Sequence, residues 1–208
     1  MRFDIPFVKN SDNQCGQACT LMILKYFYPK KKISFGQINK IIHGKPDKYT
    51  WPFHSAIALD HFGIKAKAFS KENFFTGKKG LAQFKKWFGK NFDYLFKKWV
   101  DWPTYEWGVK TAKRKNLFKV KTTPFEKIEE MVKKGNIVIV VLDWNTLNKI
   151  KNKPYEGHLV IITGLKKDQI YINEPDEGRD LKYPKKLFKA AYNHPVIKDN
   201  LCVVYGKK

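Results

Sequence analysis

Cysteine is scarce in these 208 residues: there are three, and an odd number does not make a disulfide framework. No apolar run approaches the roughly 18 residues that would span a bilayer. The opening stretch, MRFDIPFVKNSDNQ, has no apolar core of signal-peptide length and no small-residue cleavage site. The expectation is therefore a soluble, cytoplasmic protein without a transmembrane segment. Acidic residues are also few, 19 Asp and Glu against 41 Lys and Arg, for a net charge of +22. Such a field attracts polyanions such as nucleic acid or anionic lipid. Lysine far exceeds arginine, however, and specific phosphate or base readout leans on arginine, which favours a general lysine-rich usage. Close pairs of zinc-ligand residues, cofactor motifs, internal repeats and low-complexity linkers are all missing. The chain is expected to carry no cofactor and no metal, and to be a monomer.

What is present argues for a folded globule. Apolar content of 43% with 15% aromatics is enough for a real core, and the length fits one domain over 1–208. Residues 15–28 read as a helix that is apolar nearly all round, with Asp12 and Asn13 as candidate caps. "ISFGQINKIIHG" reads as an amphipathic helix between Ser34 and Gly44, and "WPFHSAIALDHFG" as a third helix closed by Gly63. The short strand "IKAKAFS" follows. Residues 69–121 then hold 14 Lys or Arg, four acids and 14 aromatics. Phe84, Trp87, Phe88 and Phe92, then Leu95, Phe96 and Trp99, recur at helical spacing, so this segment reads as a basic, aromatic helical insertion. After it come an amphipathic helix from Thr123 and Pro124 to Gly135 and the β-branched run "NIVIVVLDW". The hairpin "GHLVIITGL–KKD–QIYINEP", a late helix "YPKKLFKAAYN" and a last strand "NLCVVYG" complete the chain. Helices first and an antiparallel sheet afterwards predict an α+β fold.

Cys15 stands at the start of the buried helix, where the helix dipole favours a thiolate, and thiolates are the nucleophiles of cysteine chemistry. Gly16 lets the backbone there pack closely and leaves its amide free. An imidazole would activate the sulfur, and a third polar group would orient the imidazole. His158 opens one hairpin strand, while Asn173 and Glu174 close its partner. A shift of one residue in the hairpin register decides which of the two shares the face of His158. Cys19, one turn deeper, and Cys202 in "LCVVY" read as core residues. His43, His54 and His61 read as surface or core residues, and His194 as part of a loop.

"DNQCGQACTLMILKYF" resembles the nucleophile motif of the C39 peptidases, cysteine proteases of papain-like fold. "GNIVIVVLD", "GHLVIITGLKKDQIYINEPDEG" and "YPKKLFKAAYN" are similar, in that order, to the family's following strands and trailing helix. The resemblance covers residues 3–64 and 122–205. It implies a papain-like fold, with an N-terminal helical half around the nucleophile helix and a C-terminal antiparallel sheet half. It implies Cys15 as nucleophile, His158 as general base and acid, and Glu174 at the place of the family's aspartate, with Asn173 as alternative orienter. The family's oxyanion glutamine lies six residues before the cysteine, where this chain has Lys9. Lys9, Asn10 or Gln14 would have to substitute, and Gln14 is the preferred candidate.

The implied function is hydrolysis of a peptide, isopeptide or other amide bond in a peptide or protein substrate. A rival reading is an impaired papain-fold binding module that holds a polyanion, nucleic acid or anionic membrane, on residues 69–121. Against that rival, the aromatics of the segment could simply pack its own core.

Overall fold

Helix α1 (Cys15–Phe27) buries every residue from Gly16 to Leu24, so it sits inside the molecule, as an all-apolar helix must. The computed structural model describes residues 1–11, 13–153, 155–196 and 200–208. Asp12, one expected cap of α1, lies outside them. Asn13, the other, has a left-handed backbone (φ 55°) and gives its amide to Asp47 at 2.9 Å. Gln14 is the residue at the N-cap, and it makes no side-chain cap bond.

Helix α2 (Phe35–Ile42) starts at Ser34, which forms a capping box with Gln37, and ends on His43 in the left-handed region, one residue before the expected Gly44. Helix α3 (Pro52–His61) leads through Gly63 into strand β1 (Ile64–Ser70). The aromatic segment forms α4 (Gly77–Phe88), a 3-10 turn (Gly89–Asn91), α5 (Phe92–Trp99) and α6 (Trp102–Arg114). Strand β2 (Phe118–Val120) follows, then α7 (Phe125–Lys133), β3 (Ile137–Asp143) and the short α8 (Trp144–Leu147). The chain ends with β4 (Gly157–Leu165), β5 (Gln169–Glu174), β6 (Gly178–Pro184), α9 (Lys185–Tyr192) and β7 (Leu201–Lys207).

The seven strands form one sheet in the order β2-β1-β7-β3-β4-β5-β6, antiparallel except for the β1–β2 pair. The molecule is α+β as expected, but the division into a helical half and a sheet half is too clean. Strands β1 and β2 bracket the helices of the aromatic segment and join the common sheet, so the helical departure is 77–114 rather than 69–121. Strand β6 was not foreseen. It is an edge strand of intermediate burial without a clean alternation, and such strands carry little pattern. Thr123 does not cap α7 either: Pro124 holds the N-cap position and the Thr123 hydroxyl lies 3.5 Å from Lys121 O.

One apolar core runs from α1 through the sheet to the aromatic segment. There Phe84 is buried and touches the rings of Trp87, Phe88, Phe96, Trp102 and Tyr105 at centroid distances of 4.9 to 5.9 Å. The aromatics that recur at helical spacing therefore pack largely on one another, while Tyr94 stays 65% exposed.

Candidate active site

The first turn of α1 is held by a chain of amides, of which Gln14 and Gln17 are buried. Gln14 donates to Ser11 O (3.0 Å) and accepts from Asn39 (2.5 Å); Asn39 accepts from Gln17 (3.0 Å), and Gln17 accepts from the Thr50 hydroxyl (3.1 Å). A Cβ on Gly16 would lie 2.3 Å from Thr50 Oγ1, so the loop before α3 reaches this turn only because residue 16 has no side chain. Cys15 is half-buried at the top of the turn.

The hairpin delivers the imidazole, and a bulge sets its neighbour. Ile162 pairs with Ile172 and Ile161 with Asn173, whereas Gly164 pairs with Tyr171 and Leu165 with Ile170. Thr163 is thus an extra residue in β4. With it, Glu174 shares the face of His158; a regular ladder continued from Gly164 would set Asn173 opposite Ile162, on that face. The N-terminal arm lies along β4 at the bulge, where Phe3 N donates to Thr163 O (2.7 Å) and Arg2 bridges Gly164.

His158 is buried, and its Nε2 hydrogen-bonds Glu174 Oε1. The Cys15 thiol lies close enough to the same imidazole for its charge to act on the ring. Burial works against the imidazolium, but the charge of Cys15 and the hydrogen bond to Glu174 outweigh it and raise the ring to about 10. Glu174 is fully buried. Burial alone would raise its carboxyl, yet the bond to His158 and the backbone N–H groups of Asp176 (3.1 Å) and Glu177 (2.6 Å) bring it below its ordinary value. The carboxylate is held by the turn that follows it, which accommodates a side chain one methylene longer than aspartate. Asn173 faces away: it donates to Ile5 O (3.0 Å) and accepts from Asp180 N (3.0 Å).

Three further residues bear on this site without having been picked out from the sequence. Trp144 lies against the imidazole, ring centroids 5.1 Å apart. Asp143 is buried and accepts from Thr146 N (2.9 Å) and from Glu156 N (2.9 Å), which ties the end of β3 to the entry of β4. The D-x-x-T spacing of Asp143 and Thr146 is the helix-cap signal that could have revealed it. Asp176, 3.7 Å from His158 Nε2 through one oxygen, accepts from Asn10 (2.7 Å) through the other. Lys9 is exposed.

Cys19 and Cys202 are fully buried, and burial pushes both thiols up; Cys19 also donates to Leu159 O at 3.4 Å. His54 is buried between Trp51 N (3.1 Å) and Thr104 O (3.3 Å), and burial lowers it to about 4. His43 stacks on Trp107, His61 is exposed, and His194 stacks on Tyr155. Among the described residues, the only group of three or more His, Cys, Asp or Glu side chains close enough to share a metal ion is His158, Glu174 and Asp176 of this same site.

A thiol at a helix N-terminus near an imidazole bonded to a buried carboxylate, on helices packed against a largely antiparallel sheet, is the arrangement of the papain-like cysteine peptidase fold. The chain belongs to the Peptidase_C39 like family, which it matches over residues 3–196. It is similar to the crystal structure of a Bacillus anthracis protein described as a C39-like peptidase, with a TM-score of 0.55 and 14% identity over 99% of this chain and 96% of the other. It is also similar to a double glycine motif protease from an AMS/PCAT transporter, solved with its leader peptide. There the TM-score is 0.51 and the identity 18%, over 100% of this chain and 94% of the other. None of the curated proteins matches. Among the described residues no helix is long and apolar enough to cross a membrane.

Proposed function

We propose that the chain is an active peptidase or amidase working through Cys15, His158 and Glu174. The observation that carries this reading is the Cys15 thiol at the start of α1 beside an imidazole whose Nε2 is hydrogen-bonded to buried Glu174. The Cys15 sulfur attacks the carbonyl carbon of the scissile bond. The C–N bond breaks as the imidazolium gives its proton to the leaving amine, leaving a thioester. Water then attacks the thioester while His158 takes its proton, and the acid departs with the thiolate restored. Glu174 orients the ring and stabilises its charged form, and Asn173 has a structural task.

The oxyanion forms beside the backbone N–H of Cys15 in the first turn of α1. Gln14 is the second donor in this reading. Its buried amide is oriented by Asn39, and one of its two hydrogens is used by Ser11. Lys9 leaves the matching family position to solvent. Gln14→Ala should lower kcat by about 10²–10³-fold with KM little changed, while Lys9→Ala leaves kcat alone.

The substrate is a peptide or protein. A relative was solved with a leader peptide, and that supports a peptide in the cleft here without carrying over a double-glycine sequence. The deciding experiment is labelling with iodoacetamide at neutral pH. Cys15 should react far faster than Cys19 or Cys202, and His158→Ala should slow Cys15 by about 10²–10⁴-fold. Equal, slow reaction at all three thiols would sink the enzyme.

A further inference from the structure

A cavity of about 90 Å³ opens beside Cys15, with one part of its wall from the aromatic segment and the loop that segment supports and the rest from the ends of β3 and β4 and the loops beside them. Cys15 lines one side. Tyr49 and Trp51 come from the loop before α3, Trp87 and Phe88 from α4, and Leu159 from the residue after His158. The lining is apolar, with the nucleophile at its edge.

These walls are held in place by contacts outside the core. Trp87 Nε1 donates to Glu72 (3.1 Å), which fixes the indole. Tyr49 stacks on Trp99 at 5.2 Å with nearly parallel planes, and its N–H donates to Trp99 O (2.7 Å). Lys48 Nζ reaches the carbonyls of Lys97 (3.0 Å) and Lys98 (2.8 Å) at the end of α5. The helices of residues 77–114 thus wall the cavity with α4 and secure its opposite loop with α5.

From this we infer that the enzyme selects substrates with a bulky apolar side chain in the acyl part, within two residues of the bond it cuts, and that Trp87 and Phe88 are specificity-determining residues. This rests on the peptidase reading above. The carbonyl under attack must lie within bonding reach of Cys15, and an extended chain advances about 3.3 Å per residue, so only the first or second acyl-side residue reaches the cavity. A glycine there leaves the apolar walls unfilled, whereas leucine or phenylalanine removes them from water. The preference should be about 10- to 100-fold in kcat/KM.

The test uses the full chain and a set of dipeptidyl acyloxymethyl ketones with Gly-Gly, Leu-Gly, Gly-Leu, Phe-Gly and Gly-Phe acyl parts. Each labelling rate at Cys15 is divided by the iodoacetamide rate on the same protein. At least one bulky ketone should outrun Gly-Gly by 10-fold or more, and Trp87→Ala and Phe88→Ala should each cut that ratio at least threefold. Trp87→Phe, a milder change, should cut it less. Equal normalised rates across the set overturn this inference alone, and so does a preference that all three variants leave intact. No labelling of Cys15 by any ketone, with iodoacetamide no faster there than at Cys202, overturns the peptidase reading and this inference with it.

Discussion

Glu174 keeps its charge out of water because three N–H groups point at it, one of them from the imidazole it orients. His158 therefore has the Glu174 and Asp176 carboxylates at its Nε2 and the charge of Cys15 nearby. Its folded value of about 10 lies above the ordinary 6.5, so the stability it adds is complete below 6.5 and disappears as pH rises through about 10. Glu174 is shifted the other way. Its share is present above the ordinary 4.5 and is lost as pH falls through its lowered value. Cys15→Ala removes the charge of Cys15 and leaves burial opposed by the carboxylates of Glu174 and Asp176, so the imidazole should titrate at lower pH in an NMR titration. Glu174→Gln should move the alkaline limb of the labelling profile to lower pH. At this scale the sequence was legible wherever chemistry dictates residue type. Cys15, His158 and an acid or amide after the hairpin could be picked out, whereas Trp144 could not, because an aromatic beside a ring looks the same in sequence as an aromatic in a core.

Elements settle what residue types leave open. The choice between Asn173 and Glu174 turned on one extra residue, Thr163, and the local hint in "LVIITGL", Gly164 inside a strand, marks a bulge without fixing which residue is extra. The N-terminal arm that pairs at that point is equally silent, since its partners lie some 160 positions away. The long helices were readable from their apolar spacing or all-round apolar character, and the buried strands β1, β3 and β7 from short apolar, largely β-branched runs. Short edge strands such as β2 and β6 are defined by neighbours rather than by themselves. The contact between α1 and the loop before α3 gives a measurable case. Gly16→Ala should destabilise the fold by about 1–3 kcal/mol in urea denaturation, because the new methyl meets Thr50 Oγ1. In the Gly16→Ala/Thr50→Ala double variant the loss should be less than the sum of the two single losses.

For the molecule as a whole, charge and specificity separate. The excess of 41 basic over 19 acidic residues predicts retention on a polyanion matrix that weakens steeply with salt. Cys15→Ala should elute at the same salt concentration as the parent, since that field comes from the whole surface. A shared elution point would show that polyanion attraction and the thiol site are independent. The aromatic segment was recognisable from its texture as basic and helical, but not as a cavity wall. Composition tells which side chains a segment offers, and only the packing tells which of them it leaves facing a cleft.

Strands β1 and β2 lie side by side and run in the same direction, at one margin of the sheet. The helices of residues 77–114 leave the sheet and return to it at adjoining points, far in sequence from the strands that carry His158 and Glu174. A lineage could exchange that whole excursion for another and acquire a new diet while the cutting chemistry stayed untouched.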